Sequence, residues 1–202
     1  AVLVGRVGQH AGDLVVNAEL IDTRDNSRLW GAQYNRKLSE VLSIQDEIAR
    51  QISENLKLRL AGNEKQRLAK RPTADPEAYQ LYLKGRHVLL NQYSREGVEE
   101  AIDYFNRAIS ADPGYAQAYA GLADCYYGLS NVYLPPTEAM PRARAAALKA
   151  IELDDSLGAA HASLAVVKEI YEWDTAGALR EFRRAIELSP SDAWAHLMYG
   201  FT

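Results

Sequence analysis

The feature that most constrains this chain is a repeat in its second half. Ala101, Ala143 and Ala178 are separated by 42 and then 35 residues, and the same two offsets link Phe105, Ala147 and Phe182. They also link Ala108, Ala150 and Ala185, then Ile109, Ile151 and Ile186, then Pro113, Asp155 and Pro190. Ala118, Ala160 and Ala195 follow, with Tyr119, His161 and His196 beside them. Self-similarity of this period marks stacked helical hairpins, each too small to bury its apolar face alone. The residue types say how they pack: small alanines where two helices cross closely, and an aromatic or large aliphatic one turn away to fill the gap. Asp112-Pro113 and Ser189-Pro190 stop the second helix of a hairpin, because proline cannot continue it.

Residues 1–35 carry a different period. Ala1 to Val7 is short, β-branched and apolar, and Gln9 to Asp13 is a polar turn containing Gly12. Leu14 to Asp22 sets Val16, Ala18 and Leu20 on one face and Asn17 and Glu19 on the other, the alternation of a half-buried strand. Thr23 to Ser27 reads as a second turn and Arg28 to Tyr34 as a third strand, which predicts an antiparallel meander. A helix follows, with Ile44, Ile48, Ile52 and Leu56 every four residues and Leu42 and Ala49 beside them. Ser43 and Asp46 have capping-box spacing, placing its start near Ser43, and Gly62 marks its end. Asn63 to Arg71 reads as a short polar, basic helix, and Pro72 to Pro76 breaks the chain. The expected fold class is mainly α: a solenoid of helical hairpins with a small N-terminal antiparallel β-meander plus helix. The expected boundaries are 1–71 for the α/β part and 72–202 for the array, with repeats over 76–113, 114–155 and 156–190 and the start of a fourth over 191–202.

Composition removes several functions. Cys125 is the single cysteine of 202 residues, so neither an internal disulfide nor a site of several cysteine ligands can form. Lys and Arg number 23 against 27 Asp and Glu, without a basic block, which disfavours nucleic acid. No apolar run approaches the ~18 residues of a membrane span, so no membrane contact by this segment is expected. His10, His87, His161 and His196 lack the spacing of a metal site, and the equivalent positions of His161 and His196 point to packing. Asp22 to Asn26 lacks the alternating acids of a calcium loop, and Gln33 stands where its closing Glu would be; a β-turn accounts for it. Cys125 reads as an inert thiol, and Trp30, Trp173 and Trp194 as packing anchors. Gly5 and Gly8 form no phosphate loop, and no nucleophile–base set is apparent. The expectation is no catalytic residue, no cofactor and no metal.

The hairpin pattern resembles the tetratricopeptide repeat. The small residue of that repeat's first helix falls on Gly85, Ala123, Ala165 and Gly200, and the Ala–Phe–Ala–Pro set of its second on Ala101, Phe105, Ala108 and Pro113. Repeat two departs, with Ala147 for the aromatic and Asp155 for the proline. Repeats one and two are longer than the consensus, which predicts longer connections between their helices. In repeat two the excess is assigned to Ser130 to Pro136, either a loop packed on its own repeat or a rim of a binding surface. Pro141 is expected in the first turn or at a kink of the helix that follows.

A wider resemblance covers nearly the whole chain. Val2-Leu3-Val4-Gly5-Arg6-Val7, Ala18-Glu19-Leu20-Ile21-Asp22, Leu29-Trp30-Gly31 and Ile44-Gln45-Asp46-Glu47-Ile48-Ala49 look like the end of a TolB-like domain. Ala78-Tyr79-Gln80-Leu81-Tyr82-Leu83-Lys84-Gly85-Arg86, Ala118-Tyr119-Ala120-Gly121-Leu122-Ala123-Asp124 and Glu169-Ile170-Tyr171-Glu172-Trp173-Asp174 continue it. The string is similar to the C-terminal region of membrane-anchored bacterial serine/threonine kinases, with related strings in adenylate-cyclase and winged-helix regulators. This implies a window of a longer signalling protein, extracytoplasmic behind a single membrane span or cytoplasmic without one. No kinase motif is present, so catalysis by this segment is not expected.

In repeats of this kind the first helices line the concave face, at positions three before, one after and four after the small residue. That places Tyr82, Arg86 and Leu89 in repeat one, Ala120, Asp124 and Tyr127 in repeat two, and Ala162, Val166 and Glu169 in repeat three. The set lacks the dense Lys/Arg cluster of a carboxylate or phosphate clamp. It reads either as a groove for a protein or peptide partner or as a merely solvated face. The function implied is a non-catalytic protein–protein interaction module; the alternative is a structural spacer or self-association element of a cyclase or winged-helix regulator.

Overall fold

The computed structural model describes residues 1–10, 13–37, 40, 43–44, 47–48, 50–51, 73–92 and 94–202. The chain divides into two compact units, Ala1–Pro76 and Glu77–Thr202.

In the first unit β1 (Val2–His10), β2 (Asp13–Ile21) and β3 (Arg28–Lys37) form an antiparallel sheet in that order. The strands run further than their apolar stretches, because ladder pairing continues through polar residues: Gln9 pairs with Leu14 and His10 with Asp13. Gln9, His10 and Asp13, expected in a turn, thus belong to the strands. Along β2, Leu14, Val16, Ala18 and Leu20 are buried. Tyr34 of β3 stands opposite Val16, and Ile44 closes over Leu14, Val16 and Tyr34. The turn between β2 and β3 is held by its own side chains. Asp22 Oδ1 accepts from the Arg24 amide at 3.0 Å, Asp25 Oδ1 accepts from the Ser27 amide at 2.9 Å, and Asn26 takes a left-handed φ of 58°. Residues 43, 44, 47, 48, 50 and 51 are helical. Ser43 lies within this helical stretch, its hydroxyl donating to the Glu40 carbonyl at 2.7 Å. Gln51 ties helix to sheet, its Oε1 accepting from Trp30 Nε1 at 3.1 Å and from the Tyr34 hydroxyl at 3.2 Å. Leu42, Asp46, Ala49, Ile52, Leu56, Gly62 and the stretch 63–71 lie outside the described residues.

The second unit is a solenoid of helices. These are α1 (Pro76–Asn91), α2 (Arg95–Ala111), α3 (Ala116–Val132), α4 (Pro136–Leu153), α5 (Gly158–Val167), α6 (Thr175–Leu188) and α7 (Ala193–Phe201). The starts of α2, α6 and α7 follow from capping chemistry. Ser94 Oγ accepts from the Gly97 amide at 3.1 Å, and Asp174 Oδ1 from the Gly177 amide at 2.9 Å. Asp192 Oδ1 accepts from the amides of Trp194 and Ala195 at 3.0 and 3.1 Å. The core of the first repeat turns on Phe105, which is fully buried. A Cβ built on Gly85 of α1 would stand 2.8 Å from its ring, and one on Gly121 of α3 would stand 2.6 Å away. The ring therefore occupies space that only two missing side chains leave open. Phe182 plays the corresponding part in repeat three, against Ala165, Val166 and Ala178. In repeat two Ala147 takes the equivalent position and is buried with Cys125, Leu129 and Leu164, and Met140, two turns earlier in α4, is buried with Ala143 and Val167.

The extra residues of repeats one and two enter helices rather than connections. Only residues 92–94 and 133–135 separate the paired helices, while α1, α3 and α4 reach 16, 17 and 18 residues. Ser130, Asn131 and Val132 are the end of α3, and Tyr133 and Leu134 pack onto the first core. Pro136 opens α4, and Pro141 lies inside it, beyond the first turn. After α5 the chain makes one π-helical turn, Lys168–Glu172, and Trp173 follows in the left-handed region with φ 57°. That geometry turns Trp173 outward: it is 85% exposed and anchors no packing.

Phe105→Ala should lower stability by about 3–5 kcal/mol, read from urea melts. Gly85→Ala alone should also destabilise, since the overpacking cost of roughly 1–3 kcal/mol outweighs the gain of about 1 kcal/mol in helix propensity. In the Phe105→Ala background the same methyl group has room and should become neutral or stabilising. Simple additivity in the double-mutant cycle would refute this account.

Candidate functional site

The first helices of successive repeats leave a groove of about 570 Å³ between them. From α1 come Arg86, Leu89 and Leu90, and from α3 Asp124, Tyr127, Gly128, Asn131 and Val132. Ala159, Ala162 and Ser163 of α5 form a further part of the lining, with Asp192 and Trp194 at the start of α7. Val98 and Tyr133 complete it.

Asp124 joins three helices. Its Oδ2 accepts from Arg86 at 3.2 Å, and its Oδ1 accepts from the Ser163 hydroxyl at 2.8 Å. Burial at the bottom of the groove raises the Asp124 carboxyl above its ordinary value, and the charge of Asp192 adds to this. The hydrogen bonds from Ser163 and Arg86 act the other way without cancelling it. The neighbouring Cys125 is fully buried and burial pushes its thiol far up, so it offers no thiolate. Tyr127 and Trp194 form a tilted ring pair with centroids 6.1 Å apart and an interplanar angle of 51°.

Four of the residues counted from the repeat register, Arg86, Leu89, Asp124 and Tyr127, lie together in this groove, and Ala162 joins them. The others are elsewhere. The Tyr82 ring packs on Phe105 and Tyr115, at centroid distances of 5.9 and 5.2 Å, and is half-buried against the first core. Ala120 is buried against Ala150 and Ala160. Val166 is only 2% exposed, with Tyr127, Met198 and Tyr199 packed against its cluster. Glu169 sits in the π turn, where the residue count per turn changes and the α-helical register no longer applies. Its Oε1 accepts from the Thr175 hydroxyl at 3.4 Å.

Trp194 was expected as a packing anchor and is instead 43% exposed on the groove wall. The signal for it was present, since the repeat offsets align Trp194 with Gln117 and Ala159, and a lone aromatic at that position breaks the pattern. Ser163 and Asp192 had no comparable signal. His161 is buried, with Nδ1 2.8 Å from Glu181 Oε2 and Nε2 3.1 Å from the Asp155 carbonyl. His196 likewise reaches the Pro190 carbonyl at 3.0 Å. Each ring thus fastens the turn before its own helix. Among the described residues no group of three His, Cys, Asp or Glu side chains is placed to hold a metal, and no helix is long and apolar enough to cross a membrane.

No protein-family profile matches the chain. It is 35% identical over 122 residues to the putative adenylate cyclase 3 of Rhizobium meliloti (strain 1021), covering 60% of this chain and 21% of that protein. It is 30% identical over 122 residues to the transcriptional regulator HilA of Salmonella typhimurium, covering 60% and 22%. The chain thus spans about a fifth of the length of these curated relatives. Among solved structures it is similar to the first TPR domain of human RPAP3, with TM-score 0.51, 20% identity and coverage of 62% of this chain and 88% of that one. The Sgt2 TPR domain from Aspergillus fumigatus gives TM-score 0.51, 18% identity and coverage of 65% and 80%. The helical array has the tetratricopeptide fold.

A carboxyl raised in the folded state binds its proton more tightly there than in the unfolded chain. Its contribution to stability is full below the unfolded value of about 3.9 and is lost as pH rises through the folded value. Asp124→Asn removes this dependence. The stability of the variant relative to the parent should therefore rise as pH increases from about 4, measured by urea melts at stepped pH. Parallel pH profiles would show that Asp124 is not raised.

Proposed function

We propose that this chain is a non-catalytic interaction module of a bacterial signalling protein and that its groove holds a peptide segment or helix of a partner protein. The observation that carries the reading is the groove itself: an open, largely apolar channel in which Leu89, Leu90, Val132, Tyr127 and Trp194 present surface to solvent. Apolar surface gathered in a concave site, with few polar groups on its floor, is how repeat arrays capture peptides. Residues 1–71 are read as the end of a TolB-like domain and 72–202 as the repeat array. For the output of the parent protein, the relatives favour a cyclase or a transcriptional regulator, while a serine/threonine kinase rests on the sequence resemblance alone.

Gly128 supplies a clean test. It lines the groove, and a Cβ there would meet nothing within 4 Å. Gly128→Leu should fill the channel while leaving stability unchanged or improved, because leucine is the better helix former. Twelve-residue peptides selected from a random displayed library on the parent chain should bind Gly128→Leu at least about tenfold more weakly. Peptides that bind both proteins equally would overturn the groove reading.

A second reading, self-association, is favoured by one observation. The edge strand β1 exposes Val2, Leu3, Val4 and Val7, with Val7 70% exposed. An apolar edge of this kind pairs with another strand. Light scattering should show a dimer that Leu3→Lys with Val7→Lys converts to monomer, and a parent chain that is monomeric at high concentration would remove this reading.

A further inference from the structure

We infer that the groove selects a partner segment carrying a lysine or arginine beside aliphatic residues, with the cation seated against the Tyr127–Trp194 rings and Asp192. This inference rests on the groove reading above and gives it a chemistry.

The argument begins with charge. The ionised groups lining the groove are Arg86, Asp124 and Asp192. Arg86 is engaged by Asp124 at 3.2 Å, so neither offers a free charge to a ligand. Asp192 uses Oδ1 to cap α7, and among the described residues its Oδ2 has no hydrogen-bond or ion-pair partner. One carboxylate is therefore left without a cation. Next to Asp192, Trp194 leaves 43% of its surface open and stands 6.1 Å from the Tyr127 ring. Aromatic faces carry negative electrostatic potential, and an exposed tryptophan is the strongest such acceptor for a cation. An anionic ligand would meet two ring faces and an unpaired carboxylate, with its single possible counter-charge already bonded. A lysine or arginine meets a carboxylate oxygen and the rings together. The opposite part of the lining, Leu89, Leu90 and Val132, asks for aliphatic neighbours on the same segment.

The test uses the peptides selected on the full chain, measured by calorimetry. The recovered sequences should share a basic residue flanked by aliphatics. Replacing that residue by norleucine should weaken binding by about tenfold, the range of a partly exposed cation–π contact combined with an ion pair. Asp192→Asn should give a similar loss for the basic peptide and none for the norleucine one. Asparagine caps a helix as well as aspartate does, so this variant keeps α7 in place. Acidic or uncharged peptides that lose binding in Gly128→Leu would overturn the basic-segment inference and leave the groove reading standing. Peptides indifferent to Gly128→Leu would overturn both.

Discussion

The helical array depends on the contact between Phe105 and the two glycines that flank it. Helices carrying side chains at every position could not bring their axes close enough around a ring of this size, and Gly85 and Gly121 remove the obstacle on both sides. The ring in turn fills what would otherwise be a void running through the first core. α1 and α3 thus meet α2 around the same ring. The groove is the outward consequence of that inward contact. First helices set side by side must leave a channel on the face away from their partners.

The channel is built with an economy of polar atoms. Arg86, Asp124 and Ser163 come from three successive first helices and join in one line of hydrogen bonds, so the floor is pinned where the walls are apolar. Hydrogen bonds that cross between helices favour one arrangement of the helices they join. Asp192 does two things at once, since its Oδ1 caps α7 and the residue lines the groove. Tyr127 similarly packs against the cluster of Val166 and pairs its ring with Trp194. Structural and recognition roles are thus carried by the same residues.

The repeat offsets identify the solenoid because packing demands small and large side chains at fixed intervals, and a period survives even where individual residues differ. The same reasoning misplaces the longer connections, since periodicity cannot tell added helix from added loop. It also misplaces Val166 and Glu169. Counting along an ideal helix gives a direction from the axis, but what stands in that direction depends on neighbours far away in sequence. Tyr127, Met198 and Tyr199 cover the first, and a π turn rotates the second.

The sequence by itself determined the sheet's alternation, the hairpin repeat and the absence of any cysteine pair, because each is a property of local spacing or of composition. The tertiary structure alone decided that Tyr82 packs on the first core, that Trp173 and Trp194 remain exposed, and that Asp192 keeps an oxygen without a partner among the described residues. Exposure and pairing are sums over all elements packed around a residue, and no local period contains them.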